Sequence, residues 1–127
     1  LPIIEEDFSE LPEGLPKICG YEAKWLTDSP YMKALKSIPA SIPTSTEEEL
    51  VNHSLKLFER LNCRDYCRFD WRMNANGEPK ILEVNPNPGW CWDGHLSKMS
   101  SIGGMDYSQM LESILSAVEL RYSQSES

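Results

Sequence analysis

No run of apolar residues in this 127-residue sequence approaches the roughly 20 needed to cross a bilayer. The opening residues, Leu1-Pro2-Ile3-Ile4-Glu5-Glu6-Asp7, lack the basic start and apolar stretch of a secretion signal. Positive charge is scarce: 12 Lys and Arg stand against 20 Asp and Glu, a net charge of −8. The resulting pI near 4.7 excludes a nucleic-acid backbone or an anionic membrane as the main partner. Cysteine is sparse too. Cys19, Cys63, Cys67 and Cys91 are too few and too scattered for a disulfide framework. There is no internal repeat and no low-complexity tract. What remains is 40% hydrophobic and 25% charged, the composition of a globular protein, and the length allows one domain. An acidic cytoplasmic protein with free thiols is the expectation. The chain opens on Leu1 rather than Met, with an apolar stub running into an acidic loop, so an excised fragment of a larger sheet is expected.

Cys63-x3-Cys67 followed by Cys91-x3-His95 has a spacing that a zinc knuckle permits without being distinctive. A non-catalytic zinc-binding or regulatory module is thus one reading of the chain. The competing reading makes Cys67 a small buried residue on a strand and places Cys63 at a helix end.

Along the chain, one short strand precedes the Pro/Gly-rich loop Leu11 to Pro16, and an apolar-aromatic stretch runs from Ile18 to Leu26. Residues 27–45 carry Pro30, Pro39 and Pro43 among serines, which excludes a long helix or a central strand there. A helix is predicted next, with Thr46 as N-cap, Glu49 completing a capping box, and an end near Asn62. Its apolar face is Leu50, Val51, Leu55, Phe58 and Leu61, with Leu57 off the stripe. A short helix from Leu96 to Ile102 should stop at Gly103-Gly104. Asp106 should cap a last helix, whose apolar face includes Tyr107, Met110, Ile114 and Leu115; residues 123–127 should fray. The fold class is α+β, an antiparallel sheet with helices packed on one face.

The most informative passage is Tyr66 to Asn85. Two alternating segments flank Asn76-Gly77, a favoured pair for a two-residue type I′ hairpin turn. That turn sets Asp70 opposite Glu83 and Arg68 opposite Asn85, with Phe69 against Val84 and Trp71 against Leu82 on the other face. Like charges directly opposite one another across a strand pair are destabilising, by up to about 1 kcal/mol. One explanation is a solvated face with Arg68 and Arg72 as counter-ions. Another is a divalent cation, since Mg²⁺ is held by one or two carboxylates plus substrate phosphates. Asp70, Glu83 and Asn85 supply such an oxygen set, with an arginine beside it.

Arg68-Phe69-Asp70, a gap of 13 to Glu83, and then Glu83-Val84-Asn85-Pro86-Asn87-Pro88-Gly89 resembles the C-terminal lobe of the ATP-grasp ligases. It is most similar to the D-alanine–D-alanine ligase branch, with its Arg-x-Asp strand and its Glu-x-Asn strand followed by Pro-Gly. Tyr21-Glu22-Ala23-Lys24-Trp25 also resembles a motif of that family, one that opens a mobile loop over the phosphates; residues 27–45 fit the loop. On this resemblance residues 1–122 form the lobe, a fragment of a larger ligase. It implies that Asp70 and Glu83 share one Mg²⁺ and that Glu83 and Asn85 hold a second, Mn²⁺ being an alternative, both on the phosphates of ATP. It further implies that Arg68 and the Gly89 N–H stabilise a tetrahedral oxyanion, that Lys24 reaches the transferred phosphate, and that Leu82 forms part of an adenine shelf. The turn-derived pairing places Leu82 on the opposite face. The implied partners are ATP, small amino-acid or carboxylate substrates, the missing N-terminal lobes and a second copy in a homodimer.

Two departures stand out. Trp90 to His95 occupy positions where that branch places small hydroxyl residues for the second substrate's carboxylate, and Trp25 stands where tyrosine is common. No glycine-rich phosphate loop is present in these residues. An ATP-grasp site lies between two lobes, so this piece alone is expected to bind ATP poorly and to catalyse nothing.

Overall fold

The structure is a computed structural model that describes residues 1–125. It is α+β, with two two-stranded antiparallel ribbons and five helices among the described residues. The described residues form two compact units, Pro2–Ser41 and the residues from Ile42 to Ser125.

In the first unit, β1 (Ile4–Asp7) pairs with β2 (Lys36–Pro39), Ile4 opposite Pro39. Between them lie α1 (Tyr21–Trp25) and α2 (Pro30–Ala34). The segment 27–45, read from its prolines as a loop, therefore contains ordered elements. Pro30 takes the first turn of α2, where no N–H is missed, and the Ser29 hydroxyl accepts from the Met32 N–H at 3.1 Å. The same hydroxyl donates to the Glu22 carbonyl at 2.7 Å, tying α2 to α1. Pro39 ends β2 on an edge, where a missing donor costs little. Tyr31 and Ala34 are this unit's buried apolar residues, and the Tyr31 hydroxyl donates to the Pro16 carbonyl.

In the second unit, α3 (Thr44–Arg60) begins two residues before the predicted N-cap. Pro43 takes that place, and its carbonyl accepts from the N–H groups of Thr46 and Glu47; no side chain caps the helix. Asn62 lies at φ 53°, with Asn62 N–H on the Glu59 carbonyl and Cys63 N–H on that of Phe58. This is a Schellman ending with asparagine in the left-handed position. Of the predicted apolar face, Leu50 is buried and Phe58 half-buried, but Val51, Leu55 and Leu61 are exposed, while Leu57 is half-buried.

The ribbon β3 (Arg68–Met73) and β4 (Pro79–Asn85) follows, then α4 (His95–Ile102) and α5 (Tyr107–Ser125). Gly104, at φ 80°, closes α4 as predicted, with Met105 N–H on the Ser100 carbonyl. α5 opens on a reciprocal cap. Asp106 Oδ1 accepts from the Gln109 N–H and Gln109 Oε1 from the Asp106 N–H, both at 2.9 Å. Replacing Asp106 with alanine is expected to lower unfolding free energy by about 1 kcal/mol, read as a lower urea midpoint. Met110 and Ile114 on α5 are buried with Leu96 of α4, while Leu115 is exposed. Positions 123–125, expected to fray, are the last of α5; 126 and 127 lie outside the described residues.

One ion pair joins α5 to the loop before β3. Arg121 Nε and Nη2 each donate to the Asp65 carboxylate at 2.8 Å, and the Asp65 side chain is only 11% exposed. The guanidinium holds the Asp65 carboxyl below the usual carboxylate range. A depressed folded-state pKa contributes stability above the unfolded value, near 4, and that contribution is lost as pH falls through the lower folded value. The Asp65→Asn chain is therefore expected to be less stable than the parent at pH 7. The gap should close below about pH 4, measured by urea unfolding across pH.

Candidate functional site

The site rests on the register of β3 against β4. Arg68 pairs with Asn85, Phe69 with Val84 and Asp70 with Glu83, as the sequence predicts. The turn that produces this is different. Gly77 N–H donates to the Asn74 carbonyl at 3.0 Å and Asn74 N–H to the Glu78 carbonyl at 2.9 Å, so the loop is Ala75-Asn76-Gly77, with Gly77 at φ 76°. This is the three-residue hairpin, a type I turn closed by a left-handed glycine. The Asn74 carboxamide braces it, Oδ1 accepting from the N–H groups of Asn76 and Glu78.

One extra loop residue would slip the ribbon and send Glu83 to the other face. A bulge after Asp70/Glu83 corrects it: Trp71 pairs with Ile81, not with Leu82 as predicted, Arg72 with Lys80 and Met73 with Pro79. Leu82 is the unpaired extra residue and is 64% exposed, so strict alternation no longer assigns it to the apolar face. The same shift sets Lys80 beside Arg72 on the polar face, a cationic pair that a regular ladder hides.

Partners across a ladder share a face, so Arg68, Asp70, Glu83 and Asn85 lie together. The opposite face packs on α3, where the Trp71 ring stacks on His53 at 6.3 Å and its Nε1–H donates to the Ser54 hydroxyl. On the polar face, Arg68 Nε and Nη2 donate to the two Asp70 oxygens at 2.7 and 2.9 Å. This bidentate pair is half-sheltered, with Arg68 17% and Asp70 34% exposed, and it fixes the carboxylate's direction. Among the described residues the exposed Glu83 carboxylate takes part in no hydrogen bond or ion pair. Asn85 Oδ1 accepts from the Asn87 N–H at 3.0 Å, which turns the chain out of β4. Two carboxylates and an amide oxygen are hard donors of the kind Mg²⁺ takes. Each retains lone pairs beyond those already used, so the donor set fits that ion.

The chain beyond β4 is held just as firmly. Tyr66 donates to Asn87 Oδ1 at 2.6 Å and meets the Trp90 ring edge-on at 5.5 Å. Tyr107 donates to the Trp90 carbonyl at 2.7 Å, and Pro88 is wholly buried. Gly89 lies outside the left-handed region, and a Cβ there would meet Cys91 Sγ at an ordinary 3.5 Å. Positive φ is not what Gly89 supplies. Tyr66 and Tyr107 are residues that sequence reasoning missed, since they reach the turn from 21 residues before Asn87 and 17 after Trp90.

Cys67 Sγ donates to the Asn85 carbonyl at 3.2 Å, and burial, then the neighbouring Cys63 thiol, pushes it up to about 11. It is a protonated structural thiol at neutral pH. Cys91 is exposed, and no three His, Cys, Asp or Glu residues gather as a metal site among the described residues. The zinc set of Cys63, Cys67, Cys91 and His95 is not assembled. Lys24 is exposed on α1 of the first unit. No helix among the described residues is long and apolar enough to cross a membrane.

The family model described as D-ala D-ala ligase C-terminus matches residues 10–116. The chain belongs to that family. It is the C-terminal ATP-grasp lobe of a D-alanine–D-alanine ligase-like protein. An uncharacterised protein of Sinorhizobium fredii, y4sG, is 31% identical over 122 residues, covering 96% of this chain and 34% of the relative. The D-alanine–D-alanine ligase of Haemophilus influenzae is 29% identical over 105 residues, 83% of this chain and 33% of that protein. The crystal structure of the Bacillus anthracis D-alanine–D-alanine ligase complexed with ATP matches with a TM-score of 0.63 at 28% identity, covering 72% of this chain and 32% of that one. The lobe thus spans about a third of the length of its relatives.

Proposed function

We propose that this lobe is the ATP- and Mg²⁺-binding wall of a carboxylate–amine ligase that works through an acyl phosphate. The observation carrying this reading is the facing pair Asp70 and Glu83, with Asn85 one step along the face and Arg68 clamped to Asp70. An opposed carboxylate pair costs stability unless a cation offsets it, and the guanidinium is committed to only one of the two.

Asp70, Glu83 and Asn85 would hold two Mg²⁺ ions, or Mn²⁺, which when bound supply charge neutralisation on the transferring phosphoryl group. Lys24 would contact the transferred phosphate and Leu82 would lie under the adenine. The first substrate's carboxylate attacks the γ-phosphate, giving an acyl phosphate and ADP. An amine then adds to the acyl carbon, and collapse of the tetrahedral oxyanion expels inorganic phosphate. Arg68 and the Gly89 N–H would stabilise that oxyanion. The other wall of the nucleotide site would come from the lobes outside these residues, and the isolated lobe would be inactive.

The test is ADP release by the full-length protein against a panel of carboxylates and amines, with and without Mg²⁺. Release that needs all three components and ATP supports the reading. Release that is indifferent to the amine, or turnover by the isolated lobe at the full-length rate, counts against it.

A further inference from the structure

The residues that follow Gly89 border the atom at which an amine must arrive, if the Gly89 N–H holds the oxyanion. Their chemistry is unusual for receiving a small amino acid. Trp90 is a fixed wall: Tyr66 stands against its ring and Tyr107 holds its carbonyl, while Tyr66 is itself anchored on Asn87. The chain then folds back in a turn in which the Gly94 N–H donates to the Cys91 carbonyl at 3.0 Å. That turn leaves no room above Gly94, where a Cβ would press on the same carbonyl at 3.3 Å. At its tip Trp92 is 77% exposed and Asp93 is exposed beside it. From Asn85 to Ser97 there is no lysine or arginine, and the ionisable side chains are Cys91, Asp93 and His95.

A turn carrying two indoles and a carboxylate, with no lysine or arginine between Asn85 and Ser97, attracts positive charge. Indole faces hold ammonium and guanidinium groups, and a neighbouring carboxylate adds to the attraction. We propose that Trp90, Trp92 and Asp93 form the acceptor subsite and select an amine substrate whose side chain is cationic. Trp92 supplies the face, Asp93 the charge and Trp90 the back wall. The proposal rests on the ligase reading above and adds the class of its second substrate.

The experiment measures ADP release by the full-length protein at fixed first substrate, with lysine, alanine and phenylalanine as acceptors in both configurations. Lysine is expected to show the highest kcat/KM in one configuration. Trp92→Ala should lower that value about 5- to 30-fold, mainly through KM, and lower the value for alanine by less, while Trp92→Phe restores part of the preference. Trp92 is exposed, so its truncation does not threaten the fold. A preference for alanine or phenylalanine, or an equal loss with every acceptor in Trp92→Ala, overturns the cationic subsite while leaving the ligase reading intact. No ADP release with any amine overturns the ligase reading, and this subsite with it.

Discussion

Asp70→Asn in the full-length protein is expected to lower the rate of ADP release roughly 100- to 1,000-fold, corresponding to about 3–4 kcal/mol of transition-state stabilisation. The substitution keeps the side chain's size and one acceptor oxygen but removes the charge that faces Glu83 across the ribbon. It relaxes the cross-strand repulsion but also weakens the pair with Arg68, opposing effects of about 1 kcal/mol each, so the variant should unfold near the parent's midpoint. Loss of activity together with a near-parental unfolding midpoint would separate a metal role from a structural one. Raising Mg²⁺ should recover part of the rate, since the defect lies in ion affinity. A variant that turns over normally at low Mg²⁺ would remove Asp70 from the metal set.

Arg68→Lys is expected to cost about 100-fold in kcat, the scale seen when one oxyanion donor is lost. Charge is conserved, but a lysine offers a point charge where the guanidinium offers a planar fork. Arg68 uses Nε and one terminal nitrogen on Asp70, so a lysine cannot hold that carboxylate and also reach a second oxygen in fixed geometry. The Asp70→Asn/Arg68→Lys double variant should be less impaired than the product of the two single losses, because the residues act as one unit. Full multiplicativity of the two losses would show that the ion pair is incidental. Steady-state rates for the four proteins decide between them.

The hairpin shows how far the sequence is legible. Alternation and Asn76-Gly77 correctly set Asp70 against Glu83, yet the turn has three residues and a bulge offsets the extra one. Dipeptide preference cannot count loop residues, and a bulge leaves no mark beyond one additional apolar residue in an already apolar stretch. The register below the bulge, and with it the Arg72–Lys80 pair, was therefore out of reach. The helix ends are legible where residue type itself marks the cap, as with the Asp106 side chain and the left-handed backbone of Gly104. The start of α3 was misplaced because Pro43 caps through its carbonyl, which composition does not reveal. Three prolines in 27–45 exclude long elements and suggest a loop, but α2 and β2 are short enough to live between them. Tyr66 and Tyr107 serve the site through contacts from two separate segments, a form of information that pattern and spacing do not carry.

The bulge also says something about Leu82. Every cross-strand partnership on either side of it would survive excision of that one residue, because it has no counterpart on β3. The ribbon can shed Leu82 without rethreading, so hairpin architecture gives no reason to retain it. If Leu82 lies under the nucleotide base, as proposed, removing it should weaken nucleotide binding by the full-length protein and leave the ribbon's pairing intact.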